Sequence, residues 1–146
     1  MLIETYNYDG KGYNPYLIRD SWQVAKLNYI AGQGMTDIVK IDKHVYTDEA
    51  FILIKGLAIL IEAEKDEDTF SFQCLIMKPG ITYNIPAGTW HNIAMDTDAE
   101  VIIVEKSNTH LNDCVYVPLL KDELLDLYNT IELTLQTKID HHNECK

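Results

Sequence analysis

Four residues of the 146-residue chain combine the types and spacing that metal or acid–base chemistry needs. Asp42, His44 and Glu49 lie in "IDKHVYTDEAFILIKG", residues 41–56, and His91 lies in "YNIPAGTWHNIAM", residues 83–95. Imidazole nitrogens and carboxylate oxygens are ligands for divalent transition ions, and the same groups serve as general acids and bases. In an extended strand, residues two apart share a face, so Asp42, His44 and Tyr46 point the same way. Glu49 follows His44 by five residues and would fall on the opposite face. One extra residue within "YTD", as a bulge or turn, restores the register and aims Glu49, Phe51 and Leu53 inward. Gly56 supports the reversal into the next strand. Pro86 has no N–H for a ladder and suits a strand end. Gly88 suits the turn that re-aims the chain, so that His91 faces the same interior.

Two carboxylates facing one interior repel each other. At ~4 Å and an effective dielectric of ~20 the interaction costs about 4 kcal/mol. A domain's net stability is only roughly 5–15 kcal/mol. A divalent cation relieves the repulsion. So does a proton on one carboxyl, a basic side chain such as Lys106 or Arg19 reaching in, or an outward turn of Asp42. Two imidazoles beside the acids favour the cation, and the donor set suits Fe(II), Mn, Ni or Zn. The competing reading of each histidine is a hydrogen-bonded structural residue, and it is preferred for His110 in "NTHLND", taken as a loop residue. Tyr46, Phe51, Tyr83 and Trp90 are candidate pocket-lining residues, although each type also serves ordinary packing. Glu105 and Lys106 end an apolar run, a place that could lie near the barrel mouth, and by default read as a solvated pair. His141, His142 and Cys145 sit in a polar tail and make at most a weak, non-selective metal site. Gly-rich phosphate loops, G-x-S-x-G and H-E-x-x-H are absent.

The elements that position these residues are mostly short strands. Apolar runs near 22–30, 36–45, 50–55, 57–63, 69–77, 82–86, 91–95, 100–105 and 113–117 are rich in Ile, Val, Leu, Phe and Tyr. Turn chemistry separates them, as in "AGQG", "KDED", "KPG" and "PAG". Many short strands at this spacing predict an all-β antiparallel sandwich or barrel in residues 22–117. Residues 1–21 hold four tyrosines with Gly10, Gly12 and Pro15 and read as an irregular arm. After Pro118, Leu120, Leu124, Leu127, Tyr128, Ile131 and Leu135 recur at steps of three and four, which predicts a helix over 118–138; residues 139–146 are a polar tail. One domain is expected.

Twelve Lys and Arg against 23 Asp and Glu give a formal net charge of −11. Such a field repels phosphate and argues against nucleic acid and anionic membrane as partners. The three cysteines, Cys74, Cys114 and Cys145, are widely spaced without C-x-x-C, so neither a disulfide framework nor a zinc ribbon is suggested. No secretory leader is read at "MLIETYNYDG", and the most apolar stretch, 51–63, is interrupted by Lys55 and Gly56. These features lead us to expect a reduced, cytoplasmic protein.

The two site-bearing stretches resemble the paired motifs of the cupin superfamily. In the first, His44, Glu49 after four intervening residues and Gly56 after six more match the motif's second histidine, glutamate and glycine. In the second, Gly80, Pro86, Gly88 and His91 agree in order and spacing. Asp42 stands where the family usually has its first histidine, and Met95 where the second motif ends in asparagine. The resemblance spans about residues 22–117. It implies a cupin-like double-stranded β-barrel, or jelly roll, with a central pocket and, in many members, a divalent metal. Carried over, the ligands are His44, Glu49 and His91, with Asp42 as a fourth ligand or a nearby base. The expected function is that of a metal-dependent small-molecule enzyme of isomerase, lyase or dioxygenase class. The alternative is a non-catalytic small-ligand-binding module, with or without metal. A homodimer is expected, with the arm and helix available to cover sheet edges.

Overall fold

The computed structural model describes residues 1–144, as ten strands and two helices. The strands are β1 (Gly12–Ile18), β2 (Trp22–Asn28), β3 (Lys40–Lys43), β4 (Glu49–Lys55), β5 (Ala58–Asp66), β6 (Thr69–Ile76), β7 (Thr82–Ile85), β8 (Trp90–Met95), β9 (Glu100–Lys106) and β10 (Val115–Pro118). A single-turn helix, α1 (Thr109–Asn112), precedes β10, and α2 (Lys121–Glu144) follows it. The all-β jelly-roll expectation holds. The ladders form two five-stranded antiparallel sheets in the orders β1-β2-β9-β4-β7 and β10-β3-β8-β5-β6.

The chain passes from one sheet to the other in short connections. Residues 44–48 carry it from β3 in the second sheet to β4 in the first, so the expected extra residue in "YTD" is a full crossover rather than a bulge. Gly56 carries it back. Its φ is +79°, and a Cβ there would sit 2.5 Å from the Ala99 Cα, so only glycine fits this crossing.

Two apolar cores follow from strand alternation. The faces that look between the sheets bury Ala25, Leu27, Phe51, Leu53, Leu60, Ile93, Met95, Val101 and Ile103. The opposite face of the second sheet is covered by α2 and buries Ile59, Ile61, Phe70, Phe72, Leu127 and Ile131. That double cover explains the unbroken apolar run Ala58–Ile61 in β5: alternate residues serve different cores, and both are dry.

The covering helix begins three residues later than expected and runs further, to Glu144. Buried Glu123 fixes its start: one carboxylate oxygen accepts the Leu120 N–H (2.7 Å) and the other the Phe70 N–H (3.0 Å), tying the first turn to β6. Leu120, placed by periodicity on the packed face, precedes the helix and is exposed. Residues 12–18 of the expected irregular arm form β1, which pairs with β2 despite its glycine and proline. The register shifts between Pro15 and Leu17, where proline has no N–H to give. Cys145 lies outside the described residues.

Candidate functional site

Four inward strand faces share one pattern: a polar residue at the same end of the sandwich, then apolar residues. They read Gln23-Ala25-Leu27 on β2, Glu49-Phe51-Leu53 on β4, His91-Ile93-Met95 on β8 and, in reverse, Val101-Ile103-Glu105 on β9. Antiparallel pairing gathers the polar positions together, with Glu49 opposite Glu105 and Asp42 opposite His91. Asp42, Glu49, His91 and Glu105 line a cavity of about 280 Å³ between the sheets, and Gln23 stands behind Glu105.

Backbone stitching brings the two motif stretches into contact. The Gly88 N–H donates to the His44 carbonyl (2.6 Å). Asp48 accepts the Ala87 N–H (2.9 Å) and an Asn84 side-chain N–H (3.1 Å), and these bonds hold its carboxyl below its ordinary pKa. The turn at 86–89 is therefore clamped to the 44–48 crossover, and Gly88 takes φ +83° there.

His44, Glu49 and His91 converge. Glu49 is 4% exposed. Its Oε1 lies 3.3 Å from His44 Nε2 and its Oε2 lies 2.9 Å from His91 Nε2. Each imidazole is held from behind. His91 Nδ1 meets the Thr89 carbonyl at 2.9 Å, and His44 Nδ1 meets the Asp113 carbonyl. A carbonyl only accepts, so each Nδ1 carries a proton, and in the neutral rings each Nε2 presents a lone pair to the carboxylate. Acceptor then faces acceptor. Glu49 Oε2 and Asp42 Oδ1 are buried and receive no hydrogen bond among the described residues. A cation, or a proton on an imidazole, resolves this arrangement. The donor set and its backing carbonyls therefore fit a divalent ion on His44, Glu49 and His91.

Burial lowers the pKa of His91, but the Glu49 carboxylate, the Thr89 carbonyl and Asp42 outweigh it and leave the imidazole above its ordinary value. Burial raises the carboxyl of Asp42, His91 opposes the rise, and Glu49 adds to it. Asp42 is not in the convergent trio. Its ligand oxygen groups instead with His44 and Cys114.

The expected pocket residues divide. Phe51 lines the cavity and sets its ring edge-on to His91, with centroids 6.1 Å apart. Tyr46 does not line it: it is 74% exposed, because the crossover turns it out of the sandwich. Tyr83 packs against the apolar core and accepts the Lys78 N–H on its hydroxyl (2.9 Å). Trp90 points to the helix side of its sheet, one residue out of phase with His91, where it meets Phe70 and Lys43. Neither Lys106 nor Arg19 lines the cavity; Arg19 pairs with Glu4 at 2.5 Å.

Sequence reasoning missed several residues in the wall and directly behind it. Glu105 is buried rather than solvated, and burial raises its pKa, with Glu49 adding to the rise. Its Oε1 accepts the Tyr13 hydroxyl and a Gln23 side-chain N–H (2.9 Å), and Gln23 approaches His110 Nδ1 at 3.3 Å. Burial and Glu105 raise the Tyr13 hydroxyl above its ordinary pKa. His110, expected in a loop, sits in α1 and reaches the cavity. Asp113 also went unread. Besides backing His44, its carboxylate accepts the Val45 (2.7 Å) and Tyr46 (3.0 Å) N–H groups. The polar-then-apolar pattern on β2 and β9 was a usable signal for Gln23 and Glu105; "NTHLNDC" carried none for Asp113.

No protein-family model matches the sequence, and no curated protein matches it significantly. Solved structures do resemble the fold. PAC13 of Streptomyces, in a variant with uridine, matches at 11% identity and TM-score 0.55, over 84% of this chain and 96% of that one. CapF with the inhibitor 3-isopropenyl-tropolone matches at 19% identity and TM-score 0.54, over 79% of this chain and 34% of that one. An RmlC-like cupin family protein of Methanocaldococcus jannaschii, with a double-stranded β-helix fold, matches at 17% identity and TM-score 0.50, over 73% of this chain and 92% of that one. Two facing antiparallel sheets and these likenesses give the chain the fold of the cupin superfamily.

Proposed function

We propose that this protein is a metal-dependent enzyme of isomerase, lyase or dioxygenase class acting on a small molecule in the cavity between the sheets. One observation carries the reading: two imidazoles with Nδ1 fixed by carbonyls aim both Nε2 atoms at one buried carboxylate. His44, Glu49 and His91 would hold Fe(II), Mn, Ni or Zn, and the bound ion would supply Lewis-acid polarisation of a carbonyl or hydroxyl, or dioxygen chemistry if it is iron.

The chain's own residues define what enters. Asp42, Glu49 and Glu105 line the cavity, and no Lys or Arg does among the described residues. A small neutral hydroxy or carbonyl compound suits these walls better than an anion. Phe51, Leu27 and Ile103 offer its apolar side a dry surface. Tyr13 and His110 line the cavity where a hydroxyl of the ligand would exchange hydrogen bonds. Asp42, with an unpartnered buried oxygen, is placed to take a proton from the ligand. Uridine, the ligand in the PAC13 structure, is a neutral first probe. A homodimer in the cytoplasm completes the proposal; a solution mass of twice 16.8 kDa would support the assembly.

A second reading has its own observation. His91 is biased towards the protonated form, so a proton can answer Glu49 where no ion is bound. The cavity then serves as a metal-free binding module.

Elemental analysis of untagged protein discriminates the two. A stoichiometric divalent metal is expected, lost in His91→Ala and kept in His110→Ala. Sub-stoichiometric metal in all three proteins rejects the metalloenzyme, and equal loss in both variants rejects the site. Ligand turnover against stabilisation without turnover then separates enzyme from binder.

A further inference from the structure

We propose that the mouth of the cavity holds a second, thiophilic metal site made by Asp42, His44 and Cys114. The ladder between β10 and β3 pairs Val115 with Lys43 and Tyr116 with Asp42. Continued by one residue, the same register sets Cys114 beside His44, on the face that carries Asp42. Asp113 secures the placement. Its carbonyl holds His44 Nδ1 and its carboxylate holds the Val45 and Tyr46 N–H groups, so the residue after it is delivered to the site by two anchored contacts. A carboxylate oxygen of Asp42, a ring nitrogen of His44 and the Cys114 sulfur lie within 4.8 Å of one another. All three residues line the cavity, and Asp42 Oδ1 is a buried acceptor with no hydrogen bond among the described residues.

The two ligand sets have different chemistry. His44, Glu49 and His91 offer nitrogen and oxygen only. The outer set adds a sulfur on an exposed residue, so an ion arriving from solvent meets it first. Thiolate ligation favours Zn²⁺ and Co²⁺ over Mn²⁺ or Mg²⁺. Binding displaces the thiol proton to solvent and forms one metal–sulfur bond, with no change of oxidation state. Because His44 belongs to both sets, a thiophilic ion at the mouth competes with an ion at the inner trio for that imidazole.

Co²⁺ titration followed by absorption spectroscopy tests this. The protein is the full chain carrying Cys74→Ser and Cys145→Ser, which leaves Cys114 as the sole thiol. A saturable sulfur-to-cobalt charge-transfer band in the near ultraviolet is expected. It should persist in His91→Ala, weaken in Asp42→Asn and vanish on adding Cys114→Ser. The unsubstituted chain compared with Cys114→Ser alone gives the same readout should the multiple variant fold poorly. Cobalt bound with ligand-field bands but no sulfur band overturns the proposal while leaving the inner trio standing. Absence of any cobalt binding overturns both.

Discussion

Asp113 shapes the candidate centre without belonging to the His44, Glu49 and His91 trio. One side chain and one carbonyl orient His44 and hold the crossover that leads to Glu49. Asp113→Ala removes two acceptors from backbone N–H groups and should cost about 2–3 kcal/mol of stability in a denaturant titration. The backbone carbonyl that backs His44 survives this substitution, so metal affinity should fall by less than the roughly 10–100-fold that loss of the orienting partner itself costs. His91 sets the pH response. Its folded pKa lies above the unfolded value of about 6.5. In the metal-free protein its contribution to stability is therefore complete below that value and is lost as pH rises through the raised folded pKa. Metal binding needs the deprotonated Nε2, so the metal-dependent gain in melting temperature should run the other way and grow with pH over the same window. Melting chelated and metal-loaded protein across this range checks both slopes; a metal gain that is flat with pH would count against His91 as a ligand.

At the scale of elements, the helix and the site are separated by a sheet. Leu127 is fully buried on the helix side of the sheet, among Ile59, Ile61, Phe70 and Ile131. Leu127→Ala should cost about 2–5 kcal/mol through lost burial and the cavity left behind. The ligands project from the opposite face, so metal stoichiometry should be unchanged. Denaturant melts with parallel metal analysis test this separation, and metal lost together with stability would mean that the helix positions the site. The periodicity of Leu127 and Ile131 made the helix readable, since three- and four-residue steps are a local property. Its start was less readable, because Glu123 finds the Phe70 N–H 53 residues away.

Over the whole molecule, the charge of −11 and the acidic cavity act in the same direction. An anionic ligand meets repulsion from the surface field and again from Asp42, Glu49 and Glu105, and the inner repulsion is less screened by salt. A neutral ligand should therefore bind better than its charged ester. Uridine should raise the melting temperature of chelated, metal-free protein more than uridine monophosphate at equal concentration. A larger shift with the phosphate would show a cationic subsite that the described residues do not supply. No helix among the described residues is long and apolar enough to cross a membrane.

By itself, the sequence determined what short-range physics controls. Strand alternation and turn residues were enough for an antiparallel sandwich or barrel, and the resemblance of the two stretches around His44, Glu49, Gly56, Pro86, Gly88 and His91 to the cupin motifs implied the jelly roll and a ligand set of His44, Glu49 and His91 with Asp42. Only the tertiary structure decided which residues complete the site. Cys114 and Tyr13 reach the cavity, and Asp113 reaches His44, through strand register and loop packing across tens of residues, which no local pattern encodes. Asp42 was read onto the correct face. Its grouping with Cys114 rather than with Glu49 depends on the order β10-β3-β8, which brings the chain after Asp113 alongside His44. Tyr46 and Trp90 were misplaced because one crossover and one step of side-chain phase turn them away from the interior, and a two-residue period reverses its meaning with a shift of one.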